Sequence, residues 1–296
     1  MASRDNAATS TAFGPMVVVA IEQRQPPASR LVNDPLAVRM LPTSLRAMVA
    51  AARWKLLEAW LFRISEDQMP GIRASMLCRK RYIAEVTVNA IQDGVEQLVI
   101  LGAGLDTTAY RLPALASKTT YEVDLPENSE YKRKRLKNIY GQVPEHVRLI
   151  SLDFDSDDLF QRLIESGYDT TERSLFVWEG VTQYLTEDGV RKTLSTLSKA
   201  APGSKLVFTY VLKDFMSGRN LFGAKKGYER FVVKEKLWHF ALDPDEVAPL
   251  LAEYGWREDE QVGPSEYDER YIAPTGRQLR AMEVEPCVLA TRMNQG

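Results

Sequence analysis

Short apolar runs that alternate with helical stretches are the feature of this sequence that most constrains its fold. Leu98–Leu101 is wholly apolar, as expected for a strand that is buried on both faces of a sheet. Similar runs recur along the chain, at Thr119–Val123, Val147–Leu152, Leu175–Trp178 and Lys205–Val211. Helical periodicity lies between them, at Pro126–Ile139, Asp157–Glu165 and Glu187–Ala200. The alternation predicts an α/β fold with a doubly wound, mostly parallel sheet and helices on both faces.

The segments on either side of this alternation follow other patterns. Prolines interrupt the helical periodicity near the N-terminus, and we expect residues 1–78 to form a helical extension that acts as a lid. The core domain is predicted to follow at residues 79–296. Within the core, residues 212–240 are rich in Lys, Arg, Gly and aromatic residues, which predicts an insertion over the strand ends. Glu285–Arg292 is expected to be a final, antiparallel strand.

Composition argues against several classes of protein. The 38 Lys and Arg residues nearly balance the 40 Asp and Glu residues, so nothing indicates a general nucleic-acid binder. Charged residues interrupt the most apolar N-terminal stretch, Leu41–Ile64, which favours an amphipathic helix over a membrane span. The two cysteines, Cys78 and Cys287, cannot by themselves form a structural zinc site. We therefore expect a cytoplasmic protein with no metal and no nucleic-acid or membrane partner.

A glycine turn follows the first predicted strand. Ligands of open α/β sheets bind outside the carboxyl ends of the strands, so the residues directly after each strand are the first candidates for a site. Gly102 and Gly104 allow a tight turn and the close approach of a ligand to the backbone. Taken alone, the pattern fits an ordinary turn equally well.

A carboxylate follows the second predicted strand. Asp124 lies 20 residues after Gly104 (124 − 104), a spacing at which an acidic residue binds the hydroxyls of a ribose. The alternative is a helix cap, because Pro126 follows closely, and the two roles are compatible. The glycine turn and the carboxylate together indicate a cofactor that contains a ribose.

Two departures from the dinucleotide pattern favour S-adenosylmethionine over NAD. The third glycine or alanine of that pattern would fall at Thr107 and is absent. Asp106 lies at the predicted helix N-terminus, where its negative charge would meet a pyrophosphate. S-adenosylmethionine has no phosphate and carries a cationic ammonium and a sulfonium, so a site with Asp106 and Glu179 suits it better. We therefore expect S-adenosylmethionine as the cofactor.

Three ordered motifs resemble one known family. The runs LVILGAGLDTTAYRL, YEVDLPE and FVWEGVTQYL are similar to those of the leucine carboxyl methyltransferase superfamily, particularly its bacterial S-adenosylmethionine-dependent methyltransferases. The similarity extends from about Arg79 to Pro202. It implies a class I methyltransferase fold, which is Rossmann-like, and S-adenosylmethionine as the cofactor.

The resemblance also implies roles for individual residues. Arg79 stands at the first arginine of an R-T-R motif that holds the methionine carboxylate. The motif here reads Arg79-Lys80-Arg81, so its central threonine is lost, and Arg81 is the alternative carboxylate ligand. The other implied cofactor contacts are Gly102 and Gly104 at the methionine part, Asp124 at the ribose with Leu125 beside it, Asp153 and Phe154 at the adenine, and Glu179 and Gly180 near the amino group.

The chemistry of the methyl acceptor decides whether the enzyme needs a base. A carboxylate is ionised at neutral pH, whereas a hydroxyl needs a general base, commonly histidine. Of the two histidines, His146 precedes a strand, away from the carboxyl ends, and His239 lies beside the predicted insertion. His239 and Tyr184, which belongs to the last family motif, are therefore the catalytic candidates, and the shortage of bases favours a carboxylate acceptor.

Basic and aromatic residues supply candidates for the acceptor site. The insertion holds a group of cations that predicts either a solvated face or a binding site for an anionic acceptor: Lys213, Arg219, Lys225, Lys226 and Arg230. The candidate acceptor contacts are Tyr210, Arg219, Tyr228 and Tyr271.

These observations lead to one function with three alternatives. We expect an S-adenosylmethionine-dependent O-methyltransferase that methylates a carboxylate of a small molecule in secondary metabolism. The alternatives are a protein or peptide carboxyl methyltransferase, a hydroxyl O-methyltransferase of a natural product, and a cofactor-binding scaffold without catalysis. Intact Arg79, Gly102, Asp124 and Glu179 argue against the scaffold. The sequence leaves the acceptor and the oligomeric state open.

Overall fold

The computed structural model describes residues 13–52, 55–154 and 157–294, so residues 1–12 of the predicted extension lie outside the description. A seven-stranded sheet has the strand order β3-β2-β1-β4-β5-β7-β6. The strands are β1 Gln97–Leu101, β2 Thr119–Asp124, β3 Val147–Ser151, β4 Ser174–Trp178, β5 Lys205–Thr209, β6 Trp256–Val262 and β7 Cys287–Arg292. Strands β1 to β5 run parallel, and β7 pairs antiparallel with β5 and β6. The predicted α/β fold and its antiparallel final strand are confirmed.

Helices surround the sheet and supply the N-terminal extension. They are α1 Phe13–Glu22, α2 Ala37–Met40, α3 Thr43–Ala51, α4 Lys55–Gln68, α5 Ile72–Gln92, α6 Thr108–Arg111, α7 Pro126–Tyr140, α8 Leu159–Glu165, α9 Glu187–Leu197, α10 Lys213–Met216, α11 Lys225–Tyr228, α12 Pro244–Glu253 and α13 Pro264–Tyr267. Helix α5 runs continuously through residue 78, so the predicted division of the chain falls inside one helix. The lid role of the extension stays a prediction. No helix among the described residues is long and apolar enough to cross a membrane.

Strand β6 was not predicted, and its sequence explains why. Trp256–Val262 reads WREDEQV, which lacks the apolar run of the central strands. It lies at the edge of the sheet, where its two end residues are buried and the charged residues between them are exposed or half-buried. Charged residues on an edge strand discourage pairing with other chains. An edge strand of this kind depends on its partner strand for its conformation, and its own sequence has no recognisable strand pattern.

Apolar side chains fill both faces of the sheet. On one face, Leu98 and Ile100 of β1 pack with Val19 and Ile21 of α1, so the N-terminal extension shares the core of the sheet. The opposite face packs against helices α8, α9 and α12. A third apolar cluster lies beneath the insertion; its fully buried members are Met69, Val211, Phe215, Ala224, Trp238, Met282 and Val284.

The strand order reverses between β1 and β4, and this reversal determines where a ligand can bind. Connections from β1 and β4 lead to opposite sides of the sheet, which opens a crevice at the carboxyl ends of these strands. The residues that follow β1, β2 and β4 therefore meet at one edge of the sheet.

The first testable prediction concerns Gly71, which directly precedes α5. Gly71 has a φ of +83°, and a Cβ added to it would lie 2.6 Å from the Met282 backbone nitrogen. Gly141 has a φ of +82° with nothing within 4 Å of an added Cβ, so it is the matched control. We expect Gly141→Ala to lose about 1–2 kcal/mol of unfolding free energy through its left-handed backbone. Gly71→Ala should lose a further 1–3 kcal/mol or so through the backbone clash.

Urea denaturation of both variants measures this difference. Equal losses in the two variants would contradict the prediction, because they would show that the Ala281–Met282 backbone moves aside without cost.

Candidate active site

The glycine turn after β1 folds back over the end of β2. The backbone N–H groups of Gly102 and Ala103 both donate to the Val123 carbonyl, at 2.8 and 3.1 Å. Gly102 has a φ of +67°, and a Cβ there would lie 2.3 Å from Cγ2 of Val181. Gly104 also has a positive φ, of +42°. Residues 102–106, which we call the glycine loop, therefore need glycine at position 102 for both conformation and space.

Asp124 connects the glycine loop to the start of α7. Its carboxylate accepts hydrogen bonds from the Gly104 N–H, from the Leu125 N–H at 2.7 Å and from Asn128 Nδ2 at 2.7 Å. The residue is only 7% exposed, and burial raises the pKa of its carboxyl. Leu125, not Asp124, is the N-cap residue of α7. Asp124 thus faces the glycine loop, where the sequence predicted a ribose ligand.

Five charged side chains meet between the carboxyl ends of β1 and β4. We call them the charge cluster: Arg79, Lys80, Asp106, Glu179 and Glu285. Arg79 bridges two carboxylates, with Nε 2.8 Å from Glu179 Oε1 and Nη1 2.8 Å from Glu285 Oε2. Lys80 Nζ lies 2.9 Å from Asp106 Oδ2 and 3.0 Å from Glu179 Oε2. Each of the five side chains is at most 15% exposed.

The ion pairs keep the Asp106 and Glu179 carboxylates of the charge cluster ionised. Burial alone would raise the pKa of Asp106 and Glu179, but the nearby cations together outweigh it. Lys80 acts on both groups, with Lys132 and Arg111 acting on Asp106 and Arg79 on Glu179, so both pKa values lie below their usual range. Burial likewise disfavours the charged form of Lys80, and the two carboxylates outweigh this effect and raise its pKa. Counted by formal charges, the cluster consists of three carboxylates and two cations, a net charge of −1.

Glu285 enters the charge cluster from the segment before β7. Its Oε1 accepts a hydrogen bond from Thr209 Oγ1 at 2.9 Å, and Thr209 Oγ1 accepts one from the Gly180 N–H at 2.8 Å. The ends of β4 and β5 are thereby connected to Glu285. Sequence reasoning missed this residue, because an acid at the start of a strand has no distinctive local pattern.

A buried ion pair supports the glycine loop from behind. Lys132 Nζ lies 2.8 Å from Glu122 Oε2 and 3.4 Å from the Ala103 carbonyl oxygen. Tyr110 OH donates to the same Glu122 oxygen at 2.8 Å. Both charged side chains are at most 2% exposed. Glu122 itself was the signal in the sequence, because an acid inside a buried strand requires a buried partner.

The N-terminal extension also contacts the glycine loop. Thr107 Oγ1 donates to the Asp34 carboxylate, which further accepts from the N–H groups of Leu36 and Ala37 at 3.1 and 3.2 Å. Asp34 is 1% exposed, and burial raises the pKa of its carboxyl. The extension is therefore hydrogen-bonded to the residue that follows the glycine loop.

Asp153 and Phe154 follow β3 at the same edge of the sheet. The Leu152 N–H donates to the Asp124 carbonyl at 2.9 Å, which brings this segment next to the end of β2. The Asp153 N–H donates to Asp157 Oδ2 at 3.0 Å, and Phe154 packs at the border of the core. The proposed adenine contacts and the proposed ribose contact thus lie on neighbouring strands.

Of the two histidines, only His239 lies near the candidate site. Its backbone N–H donates to the Gln183 carbonyl at 2.7 Å, and Gln183 follows β4 closely. Tyr184, the other catalytic candidate, lies next to Gln183 and packs in the third apolar cluster. His146 precedes β3 and its Nε2 lies 3.0 Å from the Ala109 carbonyl oxygen.

The candidate tyrosines of the acceptor site do not converge on one point. Tyr210 OH donates to Gln261 on β6 at 2.7 Å, and Tyr271 OH donates to Glu85 at 2.6 Å. Tyr228 packs edge-on against Phe215 in the third apolar cluster. Of these three tyrosines, only Tyr228 packs against the third apolar cluster.

The five cations of the insertion that were candidates for an anion site each lie beside an acidic residue. Arg219 lies 2.7 Å from Asp214 and Lys226 2.9 Å from Asp67, with both basic side chains 62% exposed. The other three pairs are Lys213–Glu246, Lys225–Glu229 and Arg230–Glu235. This arrangement favours a solvated face over a binding site for an anion.

Solved structures that share this fold include methyltransferases. A Thermobifida fusca protein described as a methyltransferase aligns with 91% of this chain and 96% of its own, at 15% identity and a TM-score of 0.58. A DUF574-family protein of Streptomyces avermitilis aligns with 77% of this chain and 87% of its own, at 12% identity and a TM-score of 0.53. The fold is that of the class I methyltransferases.

Sequence comparison identifies the family within this class. The profile described as leucine carboxyl methyltransferase matches residues 12–198. One relative is a Mycolicibacterium paratuberculosis protein that is named as an S-adenosylmethionine-dependent methyltransferase. It is 32% identical over 213 residues, which cover 70% of this chain and 77% of the relative. A similarly named Mycobacterium avium protein is 32% identical over 198 residues, and the chain spans 64% of its length. The chain belongs to the leucine carboxyl methyltransferase family.

The chain is therefore an S-adenosylmethionine-dependent methyltransferase, and the donor set at the edge of the sheet fits this cofactor. Asp106 and Glu179 offer carboxylates to a ligand with a cationic ammonium and sulfonium, and Gly102 leaves no side chain in the loop beside them. The predicted cofactor and enzyme class are confirmed. Among the described residues, no group of His, Cys, Asp and Glu side chains could hold a metal ion.

Asp106→Asn should lower stability at neutral pH and lose this effect in acid. The pKa of Asp106 is depressed in the folded protein, so its ionised form stabilises the fold above the unfolded-state pKa of about 4. This contribution is lost as the pH falls towards the lower, folded-state pKa. We expect a loss of about 1–3 kcal/mol at pH 7 that shrinks towards about pH 3. Urea denaturation across this range measures it, and a pH-independent difference would contradict the assignment.

Proposed function

We propose that this enzyme is an O-methyltransferase whose acceptor is a carboxylate of a small molecule. The observation that carries the proposal is the charge cluster at the carboxyl ends of β1 and β4, next to the glycine loop. Carboxylates at this point attract a ligand with an ammonium and a sulfonium, and the family profile is named for transfer to a carboxyl group. S-adenosylmethionine supplies an electrophilic methyl group on its sulfonium.

Different residues around the crevice would bind different parts of S-adenosylmethionine. Asp124 at the end of β2 and Leu125 directly after it would hold the ribose, and Asp153 and Phe154, which follow β3, would contact the adenine. Gly102 and Gly104 would border the methionine part, and Glu179 and Gly180 its amino group. Arg79 fixes Glu179 in place through the 2.8 Å ion pair, in addition to its proposed role at the methionine carboxylate.

With a carboxylate acceptor, the protein needs only to align the acceptor with the methyl group and to exclude water. Its oxygen is ionised at neutral pH, so no side chain has to remove a proton. The enzyme then gains rate chiefly by holding the acceptor oxygen in line with the methyl group. The third apolar cluster, which borders Gln183 and Tyr184, supports an acceptor whose remaining part is apolar. An apolar small molecule of this kind is typical of secondary metabolism.

A hydroxyl acceptor is the second candidate, and one contact favours it. The hydrogen bond from the His239 N–H to the Gln183 carbonyl holds the one histidine near the site beside the segment after β4. An imidazole there would serve as the base that a hydroxyl needs. The two candidates therefore differ in their dependence on His239.

Asp124→Ala should weaken binding of S-adenosylhomocysteine by about 1.5–3 kcal/mol, through loss of charge-assisted hydrogen bonds to the ribose. Asp169→Ala is the matched control, because Asp169 is an exposed carboxylate near the opposite end of the sheet. Calorimetry measures both affinities, and thermal denaturation confirms that each variant is folded. Equal affinities for wild type and Asp124→Ala would reduce Asp124 to a structural role in the loop.

The acceptor oxygen can be identified from the product and from His239→Asn. With methyl-labelled cofactor and a panel of small acids, phenols and peptides, a carboxylate acceptor gives an ester, which releases labelled methanol in alkali. We expect this product, with kcat of His239→Asn within about threefold of wild type because no base is needed. An alkali-stable product together with a loss of about 100-fold or more in kcat would establish the hydroxyl acceptor instead. Ester formation on peptides alone would identify a peptide carboxyl methyltransferase.

A further inference from the structure

We propose that Lys80 is an internal competitor of the cofactor: its ammonium occupies the position of the cofactor's α-ammonium and is displaced when the cofactor binds. The inference rests on the proposed placement of the cofactor beside the glycine loop and Glu179. It assigns to this lysine a role in setting cofactor affinity that its position in the sequence does not reveal.

The geometry of Lys80 matches that of a bound ammonium ion. Its Nζ bridges Asp106 of the glycine loop and Glu179 after β4, at 2.9 and 3.0 Å. These two carboxylates belong to the two strand ends that border the crevice. The Lys80 side chain is 11% exposed, so its charge is held within the site and not in solvent. An amino-acid ammonium that binds these carboxylates has to take the place of Lys80.

Arg79 does not compete in this way, although it is next in the chain. Its guanidinium is held by two carboxylates that lie on different segments, Glu179 and Glu285, each at 2.8 Å. A planar guanidinium in two such bonds is fixed in orientation, whereas a lysine ammonium is a point charge on a flexible stem. Lys80 is therefore the cation of the cluster that can leave without breaking the connection between α5 and β7.

The exchange keeps a cation between Asp106 and Glu179. With Lys80 in place the charge cluster carries −1, and without it the cluster would carry −2 in a buried setting. Buried carboxylates without a counterion are costly, so Lys80 stabilises the site while it contains no cofactor. An incoming α-ammonium replaces the cation beside these two carboxylates. A ligand without an ammonium has no means of replacing Lys80 and should leave it where it is.

Two ligands separate these effects. S-adenosylhomocysteine carries the amino-acid part, and 5′-methylthioadenosine shares its nucleoside and sulfur but lacks the ammonium and carboxylate. We expect Lys80→Met to bind S-adenosylhomocysteine about tenfold more tightly than wild type, since the ligand no longer displaces two charged hydrogen bonds. Binding of 5′-methylthioadenosine should change less than about twofold. Isothermal calorimetry on the full chain measures both affinities.

Two further variants keep the test independent of folding. Lys118→Met is the matched control, because Lys118 pairs with Glu96 away from the crevice, and both affinities should equal those of wild type. Lys80→Arg retains the positive charge and so should fold even where Lys80→Met does not. An arginine bridges the two carboxylates with more hydrogen bonds and is harder to displace. We expect it to weaken S-adenosylhomocysteine binding at least about threefold and to spare 5′-methylthioadenosine.

Each other result overturns the inference in a different way. Unchanged S-adenosylhomocysteine affinity in both Lys80 variants would show that the cofactor's ammonium binds elsewhere. Selective weakening in Lys80→Met would show that Lys80 holds the ligand itself. Equal weakening of both ligands would reduce Lys80 to a support for the glycine loop. Failure of the proposed cofactor site has a separate signature: Asp124→Ala would then leave both ligands unaffected, whatever the Lys80 variants do.

Discussion

The ion pairs of Arg79 and Lys80 with Glu179 are the interactions on which the candidate site depends. Burying a carboxylate costs several kcal/mol unless a cation accompanies it, and helix α5 supplies two consecutive cations at this point. Because Arg79 also reaches Glu285, one helix joins the segment after β4 to the segment before β7. The architecture of the sheet and the charge of the crevice are thus maintained by the same contacts.

The glycine loop is held from three sides, and each contact comes from a different part of the chain. Asp124 accepts a hydrogen bond from the Gly104 N–H, Lys132 donates to the Ala103 carbonyl, and Asp34 of the extension accepts from Thr107, the residue that follows the loop. A loop restrained in this way loses little further freedom when a ligand binds, so less binding energy is spent on ordering it. The N-terminal extension is therefore part of the site's support as well as a cover for one face of the sheet.

Much of the fold and several residues of the candidate site could be predicted from local sequence. The central strands are continuous apolar runs, so β1 and β4 were placed within a residue of their observed bounds. Asp124 and Glu179 were candidates because they lie at the carboxyl ends of predicted strands, and the structure places both at the edge of the crevice. Glu285 and strand β6 were missed for the opposite reason: their positions depend on partners distant in sequence, Arg79 for Glu285 and β7 for the edge strand.

The sequence by itself determined the class of fold and pointed to one edge of the sheet as the candidate ligand site, because hydrophobic periodicity and glycine turns act over a few neighbouring residues. It also determined that carboxylates border this edge. Tertiary structure alone decided how their charges are balanced: Lys80 neutralises Asp106 and Glu179, which are 26 and 99 residues away in the chain. Ion pairing depends on distance in space and on burial, and neither can be read from the order of residues along the chain.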